Sequence, residues 1–123
     1  MNATQSAGNQ FETQVSARDA VLRVRHRLGI SMGAVEDFCR RWHVLEMSLF
    51  GSVLRDDFGP ESDVDVLVVL DPEAAISLFD LVRMRAELVT LFGREVDLVE
   101  KDALVNPFRR KEILTHCEQV YAA

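Results

Sequence analysis

Phe50-Gly51-Ser52-Val53-Leu54-Arg55-Asp56-Asp57-Phe58-Gly59-Pro60-Glu61-Ser62-Asp63-Val64-Asp65 is the stretch that orders the rest of the chain. Gly51-Ser52 is followed by ten residues and then by Asp63-x-Asp65. An apolar run, Val64 to Leu70, carries the aspartates. As a strand it puts Asp63 and Asp65 on one face, because side chains alternate with period two. Two carboxylates that close, at the mouth of a buried strand, repel each other unless a cation sits between them. Hard oxygen donors favour Mg²⁺. Turn formation at a strand entry accounts for Asp63. It does not account for Asp65, which lies between Val64 and Val66 and is costly to bury unpaired.

An earlier apolar run, Val44 to Phe50, is broken only by Glu46 and Ser48 and reads as a first strand. It ends at the Gly-Ser pair, and a short helix is expected over Val53 to Asp57. A strand running into such a turn offers backbone N–H groups and the Ser52 hydroxyl to an anion. Gly51 lets the backbone approach a phosphate closely, and the helix start adds a favourable dipole. Arg55, one turn on, adds positive charge there or pairs with Asp56 or Asp57. A phosphate cradle facing a carboxylate pair suits nucleotidyl or phosphoryl transfer.

Gly-Ser-x10-Asp-x-Asp resembles the signature of polymerase-beta-type nucleotidyltransferases. The short length and flanking sequence resemble the minimal nucleotidyltransferases (MNT) of HEPN/MNT toxin–antitoxin modules. The likeness covers about Ser31 to Tyr121. It implies a third carboxylate on a later strand, which Arg94-Glu95-Val96-Asp97-Leu98-Val99-Glu100 supplies at Asp97. The ending, Asn106-Pro107-Phe108 through Ile113-Leu114 to Val120-Tyr121, resembles the family's last helix. The family often has glycine after the arginine of the turn, where this chain has Asp56. The fold implied is α/β (α+β): a small mixed β-sheet flanked by helices, here with an extra N-terminal helix.

At 123 residues the chain is read as one domain, without room for a separate substrate-binding domain. A partner chain is therefore expected to complete the site or provide the substrate. The net charge of −6 argues against gripping a polynucleotide, which calls for a basic surface. Cys39 and Cys117 fall on apolar stripes of different expected helices, without metal-ligand spacing to His26, His43 or His116. With no signal-like segment or membrane-length apolar stretch, a cytoplasmic protein is expected.

Residues 1–15 are polar and read as a disordered tail. Residues 16–30 read as an accessory helix capped by Ser16 and ended by Gly29, with a basic face of Arg18, Arg23, Arg25 and Arg27. Residues 31–123 form the minimal nucleotidyltransferase domain. Within it, Ser31 caps a helix whose stripe is Val35, Phe38, Cys39 and Trp42. A helix is expected over Glu73 to Phe92, lying on the sheet through Leu78, Leu81, Val82, Met84, Leu88 and Phe92, with the Arg85 stem snorkelling. A strand over Glu95 to Val99 follows. Asp102 is expected to cap a short turn. Asn106 and Pro107 start a final helix that buries Ile113, Leu114, Cys117, Val120 and Tyr121.

The resemblance implies adenylyl transfer from ATP. Gly51, Ser52 and Arg55 would hold the triphosphate. Asp63, Asp65 and Asp97 would ligate two Mg²⁺ ions, with Asp97 accepting the proton. The implied acceptor is a tyrosine hydroxyl on a cognate HEPN ribonuclease toxin, which AMP would neutralise. One rival is a non-catalytic antitoxin that occludes the toxin by contact. Another is nucleotide transfer to a small molecule such as an antibiotic.

Overall fold

The computed structural model describes residues 26–123. The expected tail and most of the expected accessory helix fall outside the described residues. His26 to Leu28 are helical and end at Gly29, whose φ of 63° is left-handed. Leu28 is buried in the main core.

Among the described residues, seven further elements build the fold. They are α1 (Met32–Arg41), β1 (Val44–Phe50), β2 (Val64–Leu70), α2 (Leu78–Phe92), β3 (Val96–Glu100), α3 (Pro107–Thr115) and β4 (Cys117–Ala122). Short 3-10 turns lie at Gly51–Leu54, Pro72–Ala74 and Lys101–Ala103. The four strands form one mixed sheet in the order β3-β2-β1-β4. β1 pairs antiparallel with β2 and with β4, while β2 pairs parallel with β3. The parallel pair needs a crossover, and α2 provides it.

Both faces of the sheet are covered, which is why β2 is apolar almost throughout. Val64, Val66 and Val68 turn to the main core with Met47, Leu49, Phe38, Met84 and Leu88. Leu67 turns the other way, into a smaller cluster with Phe50, Leu104 and Ile113. Ser31 caps α1 by accepting from the Gly33 N–H, and Val35, Phe38 and Cys39 are buried. Trp42 lies at the end of α1 and donates from Nε1 to Glu87 at 3.0 Å, which joins α1 to α2. Burial, with a smaller push from Glu36, raises the Cys39 thiol to about 12, so it stays a protonated core group.

Four expectations are corrected. The helix expected from Glu73 starts at Leu78. Asp71 accepts from the Glu73 N–H to close a separate turn, Ala75 is left-handed, and Ser77 and Asp80 form a reciprocal capping box. The capping box also exposes Leu78 and Val82 at the helix start, so the buried stripe narrows to Met84, Leu88 and Phe92. Arg85 does more than snorkel: Nε donates to the Val96 carbonyl at 2.8 Å and Nη2 to Glu95 at 2.7 Å, tying α2 to the start of β3. The short turn after β3 occupies Lys101–Ala103, with no side-chain cap bond, so Asp102 lies inside it rather than capping it.

The fourth correction is the largest. Asn106 and Pro107 start α3 as expected, with Asn106 accepting from the Phe108 and Arg109 N–H groups. The helix ends at Thr115, however, and Cys117–Ala122 is a strand. An edge of β1 would otherwise leave unpaired backbone groups, and β4 satisfies them, extended by an Ala123 N–H to Leu45 carbonyl bond of 2.8 Å. Val120 still reaches the main core, now from a strand.

Phe38 has no exposed surface. Phe38→Ala is expected to cost about 3–5 kcal/mol, read as a lower urea midpoint at unchanged denaturant slope.

Candidate active site

The acids of the signature meet at one end of the sheet. Asp65 lies opposite Phe50 on β1 and opposite Asp97 on β3. Parallel register thus puts Asp65 and Asp97 side by side on adjacent strands, on the face away from the main core. Asp63 precedes β2 and is exposed, as is Asp97, while Asp65 is half-buried. Burial, the Asp97 charge and then the Asp63 charge raise the Asp65 carboxyl above its ordinary range, against Arg55 and Arg109. The three carboxylates therefore share one electrostatic field. Among the described residues no three His, Cys, Asp or Glu side chains stand grouped to hold a metal ion. The donor chemistry fits an oxygen-preferring cation all the same: Asp97 and Asp63 both push the Asp65 carboxyl up, and a cation among the three acids would offset that repulsion.

Gly51 has a role the sequence did not disclose. Its φ is +74°, and a Cβ there would collide with the Asp65 carboxylate oxygen and come within 3.1 Å of Asp65 Cγ. The glycine makes room for the acid, whatever else it admits. The turn that follows is a 3-10 turn at Gly51–Leu54, not the helix expected over Val53–Asp57, and it closes with an Arg55 N–H to Ser52 carbonyl bond of 2.9 Å. The Ser52 hydroxyl donates to the Asp63 carbonyl at 3.4 Å, linking the turn to the entry of β2. Arg55 pairs with Asp57 through Nε at 3.1 Å and also faces the cleft beside Asp65.

That cleft, of about 580 Å³, runs from the Gly51 turn and Asp65 to the far wall made by α3 and the start of β4. Arg109, Glu112, Thr115, His116 and Glu118 line this wall. None of them was singled out from the sequence. Arg109 carried a signal: an arginine in the first turn of a helix opposes the helix dipole and calls for another explanation. Arg94 was also missed. It donates to the Gly59 and Ser62 carbonyls at 2.8 and 3.1 Å and lies 4.4 Å over the Phe58 ring, fixing the loop that leads into Asp63.

A strand–turn–strand unit that brings Gly-Ser against Asp-x-Asp, with a third aspartate in register, defines a class. The Nucleotidyltransferase domain family matches residues 31–120, and the chain belongs to it. It is a nucleotidyltransferase. Protein adenylyltransferase MntA of Thermococcus cleftensis is 41% identical over 64 residues, 52% of this chain and 63% of that protein. A solved toxin–antitoxin structure with AMP-PNP has a TM-score of 0.63 at 17% identity, covering 76% of this chain and 75% of that one. The structure of a tri-AMPylated Shewanella oneidensis HEPN toxin in complex with MNT antitoxin gives 0.56 at 17% identity, covering 75% and 70%. At these identities the structural likeness is one of fold.

Two outcomes test the geometry. Gly51→Ala is expected to destabilise by roughly 1–2 kcal/mol from backbone conformation alone, with the Asp65 collision added. Gly59→Ala, where a Cβ meets nothing within 4 Å, is the control that urea unfolding should find near neutral. The second outcome concerns pH. Because the folded pKa of Asp65 is raised, its ionisation costs stability as pH rises from the unfolded value of about 3.9 through the folded one. Asp65→Asn should therefore raise the melting temperature at neutral pH, and the gain should vanish at pH about 3, where both states are protonated.

Proposed function

We propose that the chain is a protein adenylyltransferase, transferring AMP from ATP to a tyrosine hydroxyl of a cognate HEPN toxin and serving as its antitoxin in the cytoplasm. The observation that carries this reading is the side-by-side placement of Asp65 and Asp97, with Asp65 and Gly51 together on the wall of one cleft. The name of the Thermococcus relative supports a protein acceptor. The Shewanella structure, in which a HEPN toxin carries AMP, supports the nature of that acceptor. Residues 31–123 are taken as the minimal catalytic domain and residues 16–30 as an accessory segment.

The roles follow from position. Ser52 and the N–H groups of the Gly51 turn receive the triphosphate, with Arg55 and Arg109 adding positive charge from two sides of the cleft. Asp63, Asp65 and Asp97 would hold Mg²⁺, which when bound offsets charge on the phosphate oxygens. Asp97, exposed beside Asp65, accepts the proton of the tyrosine hydroxyl as its oxygen bonds to the α-phosphorus. The α–β phosphoanhydride bond breaks and pyrophosphate leaves on the side of the Gly51 turn.

Occlusion by binding alone is the contrasting outcome of the test. An Asp63→Asn/Asp65→Asn double variant keeps the outer surface of the protein. Co-expressed at low dose with its cognate HEPN toxin, the variant is expected to fail to rescue growth, and intact mass should show no AMP on the toxin. At that dose one enzyme must turn over many toxins, which a stoichiometric inhibitor cannot imitate. Full rescue by the variant would establish the occluding antitoxin instead.

A further inference from the structure

The Gly51–Leu54 turn is held from outside the stretch that matches the family. Arg27 lies ahead of the matched residues 31–120. Its Nη1 donates to the Val53 carbonyl at 2.8 Å and to the Arg55 carbonyl at 2.7 Å, and its Nη2 lies 3.9 Å from Asp56. The neighbouring Leu28 is buried in the main core, so the backbone that presents Arg27 is anchored.

We propose that Arg27 is a positioning residue for the nucleotide-binding turn, a clamp that reaches it from ahead of the residues that match the family. The turn is four residues long without a side-chain cap; buried Val53 and the Ser52 bond to the Asp63 carbonyl hold its start and middle. At its end the Arg55 carbonyl accepts a long 3.4 Å bond from the Phe58 N–H, and the Arg27 guanidinium supplies two further donors in fixed geometry. Holding the Val53 and Arg55 carbonyls fixes the path of the backbone between them. That in turn holds the Gly51 and Ser52 N–H groups against Asp65, where a triphosphate would meet them. The ion pair with Asp56 is secondary, since that carboxylate is fully exposed and the distance is long. The clamp also gives a physical reason for a loop that carries Asp56 instead of the more flexible glycine: its path is set by Arg27.

This inference deepens the nucleotidyltransferase reading, yet it can be judged separately. Arg27→Met keeps a long stem and removes the donors. Native-state hydrogen exchange of the full-length protein should show the Arg55 amide, bonded to Ser52, opening about tenfold more often, with β2 amides unchanged. The dissociation constant for a non-hydrolysable ATP analogue with Mg²⁺ should rise about fivefold, the scale of one lost net hydrogen bond. Asp56→Asn should alter neither. An unchanged Arg55 amide, a rise shared by every amide, an unchanged affinity, or an Asp56→Asn variant that matches Arg27→Met would each overturn the clamp. If wild-type protein binds no ATP analogue, the adenylyltransferase reading falls, and the Arg55 amide alone decides for or against the clamp.

Discussion

The site depends on one steric fact: residue 51 has no side chain. Asp65 is half-buried among apolar strand residues and pushed toward protonation by burial and by two other carboxylates. It has to reach the open end of the sheet, and the space it occupies is the space a Cβ at Gly51 would fill. The left-handed φ of Gly51 is the second half of the same constraint, since it turns the chain from β1 into the 3-10 turn without crossing the acid. One glycine therefore serves both parts of the signature.

Register does the rest. β1 and β2 are antiparallel neighbours joined by a long loop, so the Gly51 turn at the end of β1 sits next to the start of β2. β3 runs parallel to β2 because α2 crosses over between them, and the parallel pairing sets Asp97 opposite Asp65. A slip of one residue would turn Asp97 into the core and Val96 out. Arg85 guards against that slip. It grips the Val96 carbonyl and the Glu95 carboxylate from α2, at the residue where the register of β3 begins.

β1 and β2 were legible to the residue because largely apolar runs between turn residues admit few other readings, and the place of Asp97 on a later strand was legible through the family resemblance. The failures share a cause. Cys117-Glu118-Gln119-Val120-Tyr121-Ala122 does not alternate apolar and polar, so it declares no strand period, and its conformation is decided by the edge of β1 some seventy residues earlier in the chain. The far wall of the cleft was invisible for the same reason: Arg109 and His116 face the site only because β4 folds back beside β1. Arginines that bond backbone carbonyls leave no pattern at all. Arg27 reads as one charge of a basic face, Arg85 as a snorkelling stem and Arg94 as nothing in particular, yet each makes contacts with a segment far from it or on a different element.

The use of arginine on backbone has a consequence for the charge of the site. Arg27, Arg94 and Arg110 are committed to carbonyls in loops. Two arginines remain on the cleft wall, Arg55 and Arg109, against Asp65, Glu112 and Glu118. Arg55 is itself partly neutralised by Asp57. Three acids thus face two arginines on the described wall, which carries no excess of positive charge before any substrate enters. A triphosphate is a polyanion, and placing it beside these carboxylates without a counter-charge would be opposed at short range by several like charges. In the proposed reading Arg55 and Arg109 offset only part of that charge, and a divalent ion held by the acids would offset more, so the balance of charge on the described cleft wall favours Mg²⁺ entering with the nucleotide.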